Sequence, residues 1–491
     1  LTVIGCKARS YNTAGVKDSW DAGQDNNPIF FENQGNIEYN FDTLKRMSSG
    51  SLDAQPWSDT YWPNSEGGIT VRWRYEEGAQ RYGHKTPYTP KQIDAMSYNQ
   101  LNMLSPAEKF DIVTGGYRKG WPMWQREASL TTSCPITLGV NSSQLPVRSA
   151  PGGIGHGDWE GKCHAWTPAA LHFPEPGTVD VSAVKGNGEK FQVHFGSSDI
   201  KALLIVGYDM WLNQYPNYAR VGRRCGNDGS NIGAGSTSPC LDTNAGTFFV
   251  LATNFIQPGK KGFVIDVVPS SQVWNQPVWK YTHSIREGSC PITIPNPAKP
   301  GEKVAHVQTK LYWISEKDAA ENPHGTGNNV HTTDYEYCVE IDPATNKVIG
   351  GAWIGEERPD FIWMSAKPNF SAEHKDTRSG LTFDLSMIDK IHGWSRSGQS
   401  KPQPSTQPTP PPTPTPPPRW GECSRIKVTG GANGFYWAYS NPKPRASDAV
   451  GTLDPGSVHN VLSKSGTYFA IDGSKFNRKE VYFHQNGVEC L

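Results

Sequence analysis

The residue best placed to do chemistry is Cys163, in the stretch Gly161-Lys162-Cys163-His164-Ala165-Trp166. The apolar run 166–171 follows it, and Gly157 and Gly161 lie just upstream. A helix beginning near Ala165 puts the thiol at or before a helix N-terminus. There, free backbone N–H groups and the helix dipole favour the thiolate, the form that attacks acyl groups. Such a thiolate needs an imidazole to take and return protons and a group to orient the imidazole. Asp266 is an acid within the otherwise apolar stretch Phe263-Val264-Ile265-Asp266-Val267-Val268. A buried carboxylate requires a partner, so Asp266 is either part of a site or a structural hydrogen-bond or ion-pair residue. The candidate bases are His156, His164, His172 and His283. On a helix, His164 points ~100° away from Cys163, and His172 lies about 13 Å further along the axis. His156 sits in a glycine-rich loop that could fold over the thiol. His283 could sit at the end of a sheet. Each is more readily a surface or core residue, and Cys163 is as readily half of a structural disulfide.

Cysteine counting bears on that choice. The nine cysteines are Cys6, Cys134, Cys163, Cys225, Cys240, Cys290, Cys338, Cys423 and Cys490. An odd number in an oxidising compartment leaves one thiol over. Cys225 and Cys240 flank a turn-rich loop, and their pairing would stabilise by ~3 kcal/mol. Cys423 and Cys490 bracket the C-terminal segment. Cys6, Cys134, Cys290 and Cys338 then supply two more bridges, with Cys163 free; this connectivity is one of several. Position 1 is Leu, with no charged start before an apolar core, as in a chain whose signal peptide has been removed. A secreted, extracellular or cell-surface protein is expected, and sequons at Asn141 and Asn369 suit that route. With 47 basic and 47 acidic residues, neither nucleic acid nor a polybasic membrane contact is expected. No apolar run approaches the ~20 residues of a membrane span.

The elements that must position these residues read as α+β. Residues 1–90 are irregular, with a strand expected at 69–73. Residues 91–396 form the main domain. Ser105-Pro106-Ala107-Glu108 has the order of an N-cap, a proline at the first helical position and an acidic first turn. Residues 191–195 alternate as a strand, and 199–206 read as a helix. The apolar runs 247–252 and 263–268 read as an antiparallel strand pair around Pro258-Gly259-Lys260-Lys261-Gly262. Strands follow at 304–313, 335–341 and 347–353, the last two a hairpin around Asp342-Pro343-Ala344-Thr345-Asn346, and a Cys290–Cys338 bridge would staple the sheet. Residues 397–419 are a Pro/Thr/Ser/Gln linker of polyproline type. Residues 420–491 read as a small all-β domain that resembles a bacterial SH3 module. A cell-wall or glycan ligand is expected for it, against a passive module with no ligand.

Cys163 followed by strands carrying an acid has the order of a papain-like thiol transferase core, in which the cysteine heads a helix and His and Asn or Asp sit on later strands. Val273-Trp274-Asn275-Gln276-Pro277-Val278, preceded by Phe263-Val264-Ile265-Asp266, closely resembles the signature peptide of the oomycete and bacterial transglutaminase elicitor family. Leu104-Ser105-Pro106-Ala107-Glu108-Lys109-Phe110-Asp111, Asp199-Ile200-Lys201-Ala202-Leu203 and Arg358-Pro359-Asp360-Phe361-Ile362-Trp363 also resemble family segments, as does the Cys163 stretch. The resemblance spans roughly 95–365. It implies a secreted, calcium-dependent transglutaminase whose signature peptide is surface-exposed and read by plants as a pathogen signal. In plant elicitors that peptide continues Arg-Gly; here Trp279-Lys280 follows.

The resemblance implies Cys163 as the nucleophile and Asp266 as the orienting acid. The family pattern has histidine where this sequence has Phe249, and losing a general base typically costs about 10²–10⁴-fold. Two readings follow. In one, the chain transfers the γ-acyl group of a protein glutamine through Cys163 to a lysine amine, with backbone N–H groups and Trp159 holding the oxyanion. In the other, it is a degenerate member serving as a cell-wall or extracellular binding protein. A papain-type peptidase is a third. Calcium needs several oxygen ligands; Asp228, Asp334, Glu336 and Asp342 are available, and none is assigned.

Overall fold

The Ser105 motif folds as its residue types dictate. The Ser105 side chain accepts the Glu108 N–H, the Glu108 carboxylate reaches back to the Ser105 N–H, and Pro106 opens the helix. The computed structural model describes residues 20, 26–64, 67–73, 86–132, 137–140, 146–149, 161–214, 218–222, 242–267, 273–294, 298, 301–317, 329–355, 357–370, 373–376 and 379–397. Beyond residue 397 it describes 425–428, 436–439, 449–453, 458–465, 468–472, 474, 480–484 and 488–490. The chain divides into a unit Leu1–Lys401 and a unit Pro402–Leu491.

The helices in the first unit are α1 (Phe41–Arg46), α2 (Pro90–Ala95), α3 (Tyr98–Asn102), α4 (Pro106–Val113), α5 (Pro122–Thr132), α6 (Cys163–His172), α7 (Ser197–Gln214), α8 (Ala245–Ile256) and α9 (Ser386–Ser397). The strands are β1 (Ser49–Ser51), β2 (Thr137–Val140), β3 (Pro146–Ser149), β4 (Val179–Val184), β5 (Lys190–Phe195), β6 (Tyr218–Gly222), β7 (Phe263–Ile265), β8 (Gln276–Glu287), β9 (Lys303–Ser315), β10 (Asn329–Ile341), β11 (Val348–Trp353), β12 (Phe361–Ser365), β13 (Glu373–Lys375) and β14 (Thr382–Asp384). The main sheet runs β11-β10-β9-β8-β7-β12-β6. The start of β8 pairs with β7, and its middle pairs with β1, both antiparallel. The architecture is α+β around an antiparallel sheet, with the cysteine-headed helix earlier in the chain. The Cys290–Cys338 disulfide forms as expected, and the hairpin between β10 and β11 turns through Asn346 at φ +54°.

Two expected strands are not strands. The stretch expected at 69–73 contains a 3-10 turn, Gly68–Thr70. Residues 247–252 belong to α8, whose twelve residues are all buried. Asn244 caps it by accepting the Gly246 and Thr247 N–H groups. A helix buried on every side carries no amphipathic period, so its Phe-Phe-Val-Leu run cannot be told from a buried strand by pattern. The second run is a strand only over β7, and Asp266 lies just beyond its end.

The core has two principal clusters. One gathers Cys163, Trp166, Trp62, Trp73, much of α7 and Ile314. The other gathers α8, including Phe249, with Tyr281, Val307, Leu311, Tyr335 and Tyr337 of the sheet. In the second unit, β15 (Arg425–Val428), β16 (Tyr436–Tyr439), β17 (Ala449–Leu453), β18 (Val458–Asn460), β19 (Ser463–Ser465), β20 (Tyr468–Asp472), β21 (Glu480–His484) and β22 (Val488–Cys490) form two small sheets, β18-β15-β22 and β17-β16-β21-β20-β19. The proposed Cys225–Cys240 and Cys423–Cys490 bridges, Cys6 and Cys134 lie outside what the structure describes.

Candidate active site

Cys163 is the first residue of α6, as its sequence context requires, and it is a free, buried cysteine. Both of its neighbours anchor this helix end. The Lys162 N–H donates to the Tyr61 carbonyl at 2.6 Å, and the Lys162 ammonium lies 3.1 Å from Glu127. His164 Nε2 lies 3.0 Å from Asp209 Oδ1. Glu127 and Asp209 both pair with the guanidinium of Arg126, which also meets Asp376 at 3.2 Å, and all four side chains are fully buried. Gly161 supplies the close approach. A Cβ there would lie 2.5 Å from the Tyr61 ring and from its carbonyl oxygen.

The signature stretch covers the thiol. The Asn275 side-chain amide nitrogen lies 3.3 Å from Cys163 Sγ, and the thiol faces the Val273 carbonyl at 3.9 Å. Thr167, one turn along α6, donates at 2.7 Å to the carbonyls of both Cys163 and Asn275, tying helix to signature. The Trp363 indole N–H on β12 donates to Asn275 Oδ1 at 2.8 Å. Asp266 accepts the Trp274 N–H at 3.1 Å, and its own N–H donates to Phe361 O. Asp266 therefore pins the residue beside Asn275. The peptide expected to be surface-exposed is mostly interior: Asn275 and Gln276 are buried, as are Pro277 and Val278, with Val273 and Trp274 half-buried. Its residues supply a site wall and the first pairs of β8, which require burial.

The expectation of a thiolate favoured by the helix terminus is reversed. Burial pushes the Cys163 thiol up to about 11, opposed by hydrogen bonds from the Asn275 side chain and backbone, with Glu316 and Asp266 raising it further. Desolvation outweighs the helix end because the thiolate loses water, while the dipole contributes only ~0.3–1 kcal/mol.

Among the described residues, no histidine hydrogen-bonds the Cys163 sulfur. His164 is held by Asp209. His172 Nδ1 lies 2.8 Å from the Tyr208 hydroxyl, and burial, with Lys367 and Lys261, lowers it to about 4. His283 is a core residue between Thr253 and Thr309, lowered by burial to about 3. His156 and Trp159 lie outside the described residues. Phe249 does not occupy a position beside the thiol. It belongs to the other core cluster, its ring 5.2 Å from His283 and 6.4 Å from Phe41. Phe249→His is accordingly expected to create no activity and to lower stability by roughly 2–4 kcal/mol, since it replaces apolar contacts with a buried polar ring. Urea unfolding checks this, and a gain in acyl transfer would contradict it.

Sequence reasoning missed Asn275, Thr167 and Trp363 as site residues. Asn275 stood inside the signature, and Thr167 was a lone hydroxyl in an apolar helix; neither signal says what the side chain meets. Calcium takes 6–8 oxygen ligands. Among the described residues no group of three or more His, Cys, Asp or Glu side chains is placed to hold a metal. Asp334 pairs with Lys310 and Glu336 with His306, and Asp228 lies outside the described residues.

A helix headed by a buried free thiol, roofed by the segment that enters β8 of an antiparallel sheet, defines a thiol-centred α+β domain. Residues 28–388 match the family described as transglutaminase elicitor, and the chain belongs to that family. Its fold is similar to that of the GP42 transglutaminase from Phytophthora sojae, with a TM-score of 0.51 and 21% identity, covering 77% of this chain and 99% of that one. No curated protein matches it. No helix among the described residues is long and apolar enough to cross a membrane.

Proposed function

We propose that the protein is a protein-glutamine γ-glutamyltransferase that cross-links glutamine and lysine side chains through a thioester on Cys163. The observation that carries this reading is the free, buried thiol at the head of α6, facing Asn275 of the family signature. In the first half-reaction Sγ forms a bond to the glutamine δ-carbon and the C=O π pair moves to oxygen. Collapse breaks the C–N bond, and ammonia leaves with the proton the thiol has lost. In the second, a lysine ε-amine attacks the thioester, the C–S bond breaks, and the amine's proton restores the thiol. Water in place of the amine gives deamidation.

The wider proposal is a secreted or cell-surface protein, supported by the Cys290–Cys338 disulfide and by an exposed sequon asparagine, Asn369. It retains calcium dependence from the family resemblance. It also retains a wall or glycan ligand for the all-β second unit, read as SH3-like, with domain limits at 91–396 and 420–491. Incubating the full chain with casein and a labelled primary amine tests the activity, with and without a calcium chelator. Label incorporated into casein is the expected result. Casein cleavage without incorporation would replace this reading with a peptidase.

A further inference from the structure

We infer that Asn275 is a catalytic residue whose carboxamide N–H holds the charge on the Cys163 sulfur, and that Trp363 positions it. This rests on the reading of Cys163 as the nucleophile. The geometry is over-determined. An indole N–H can only donate, so its 2.8 Å contact fixes Oδ1 of Asn275 toward Trp363 and turns Nδ2 toward Sγ, 3.3 Å away. Thr167 fixes the backbone of the same residue at 2.7 Å, and Asn275 is only 5% exposed. Its side chain donates to the sulfur, and hydrogen bonding from Asn275 lowers the thiol's pKa against burial. Three separate elements, α6, β12 and the entry to β8, thus converge on one amide. A neutral donor aimed at the sulfur takes the place an imidazolium has in a Cys–His pair. It favours the thiolate but carries no proton of its own to exchange.

That difference is measurable. A Cys–His ion pair gives a reactive plateau between the two groups' titrations, whereas a thiolate held by neutral donors gives a single rising limb. The test is the rate of iodoacetamide alkylation of Cys163 against pH in the full chain, with the labelled peptide identified by mass and Cys163→Ala as the blank. Wild type is expected to show one ionisation and no plateau below pH 8. Asn275→Ala is expected to move the midpoint upward by ~1 unit, hence about tenfold slower alkylation at pH 8. Trp363→Phe is expected to move it the same way by less. Looser access to the thiol would change the plateau rate rather than the midpoint. Should Asn275→Ala fail to fold, Trp363→Phe and the wild-type profile still decide. A reactive plateau in wild type, or unchanged midpoints in both variants, overturns the assignment. Because alkylation needs no acyl transfer, absence of amine incorporation in wild type would remove the transferase reading while leaving this one separately judged.

Discussion

Cys163→Ala is expected to abolish labelled-amine incorporation, a loss on the order of 10⁴–10⁶-fold in turnover, as when a covalent nucleophile is deleted from an acyl-transfer site. Packing alone does not account for a loss of that size. Removing the sulfur leaves a small cavity and strips the Asn275 amide of its acceptor, together costing roughly 1–3 kcal/mol. Cys163→Ser separates the two effects. Its hydroxyl still accepts from Asn275, so most stability returns. Incorporation does not, because a serine hydroxyl ionises far less readily than a thiol, and the structure places no histidine against this atom among the described residues. The measurement is initial-rate incorporation into casein beside a urea melt for each variant. Incorporation surviving in Cys163→Ala would mean that the acyl group is carried elsewhere, and the site described here would lose its role.

The second large effect is expected at Arg126. Its guanidinium meets Glu127, Asp209 and Asp376, with all four side chains at 0% exposure. A buried ionic group contributes little against a well-packed apolar substitute for the whole set, but removing one partner strands the others. Arg126→Leu leaves three carboxylates, with Lys162 still at Glu127 and His164 still at Asp209. A destabilisation of ~3–5 kcal/mol is expected, read as a lower urea midpoint at unchanged slope. Arg126→Lys is expected to recover only part of it, because a point charge cannot bridge three carboxylates as a planar fork does. The same carboxylates hold both neighbours of Cys163. Native-state alkylation of Cys163 is therefore expected to accelerate in Arg126→Leu, as the head of α6 loosens. A change below ~1 kcal/mol would show that the cluster is dispensable to this end of the helix.

What could be read from residues in line was read where the signal is local. The Ser105 cap, the helix at 199–206, the hairpin at 342–346, the long alternating strands and the α+β class each depend on a few neighbouring residues, and each formed. Cys163 as the odd thiol at a helix head followed from counting and from the run behind it. Two kinds of statement failed. Residues 247–252 read as a strand because a segment buried on every side has no period, and only packing assigns it to α8. The thiol's ionisation departs from its sequence expectation because the helix end is visible in sequence, while burial and the carboxylates of Glu316 and Asp266 are not.

The sequence alone therefore determined that a cysteine heads a helix in a chain bearing the transglutaminase-elicitor signature, and made that cysteine the candidate for the odd thiol. Tertiary structure decided what that cysteine meets. The Cys163–Asn275 contact joins residues 112 apart, and the Asn275–Trp363 contact joins residues 88 apart. Those approaches are set by how β8 and β12 lie in the sheet and how Thr167 draws α6 against it. Local propensity carries no information about such distances. It also carries none about the water excluded when they close, and that exclusion sets the chemistry of the sulfur.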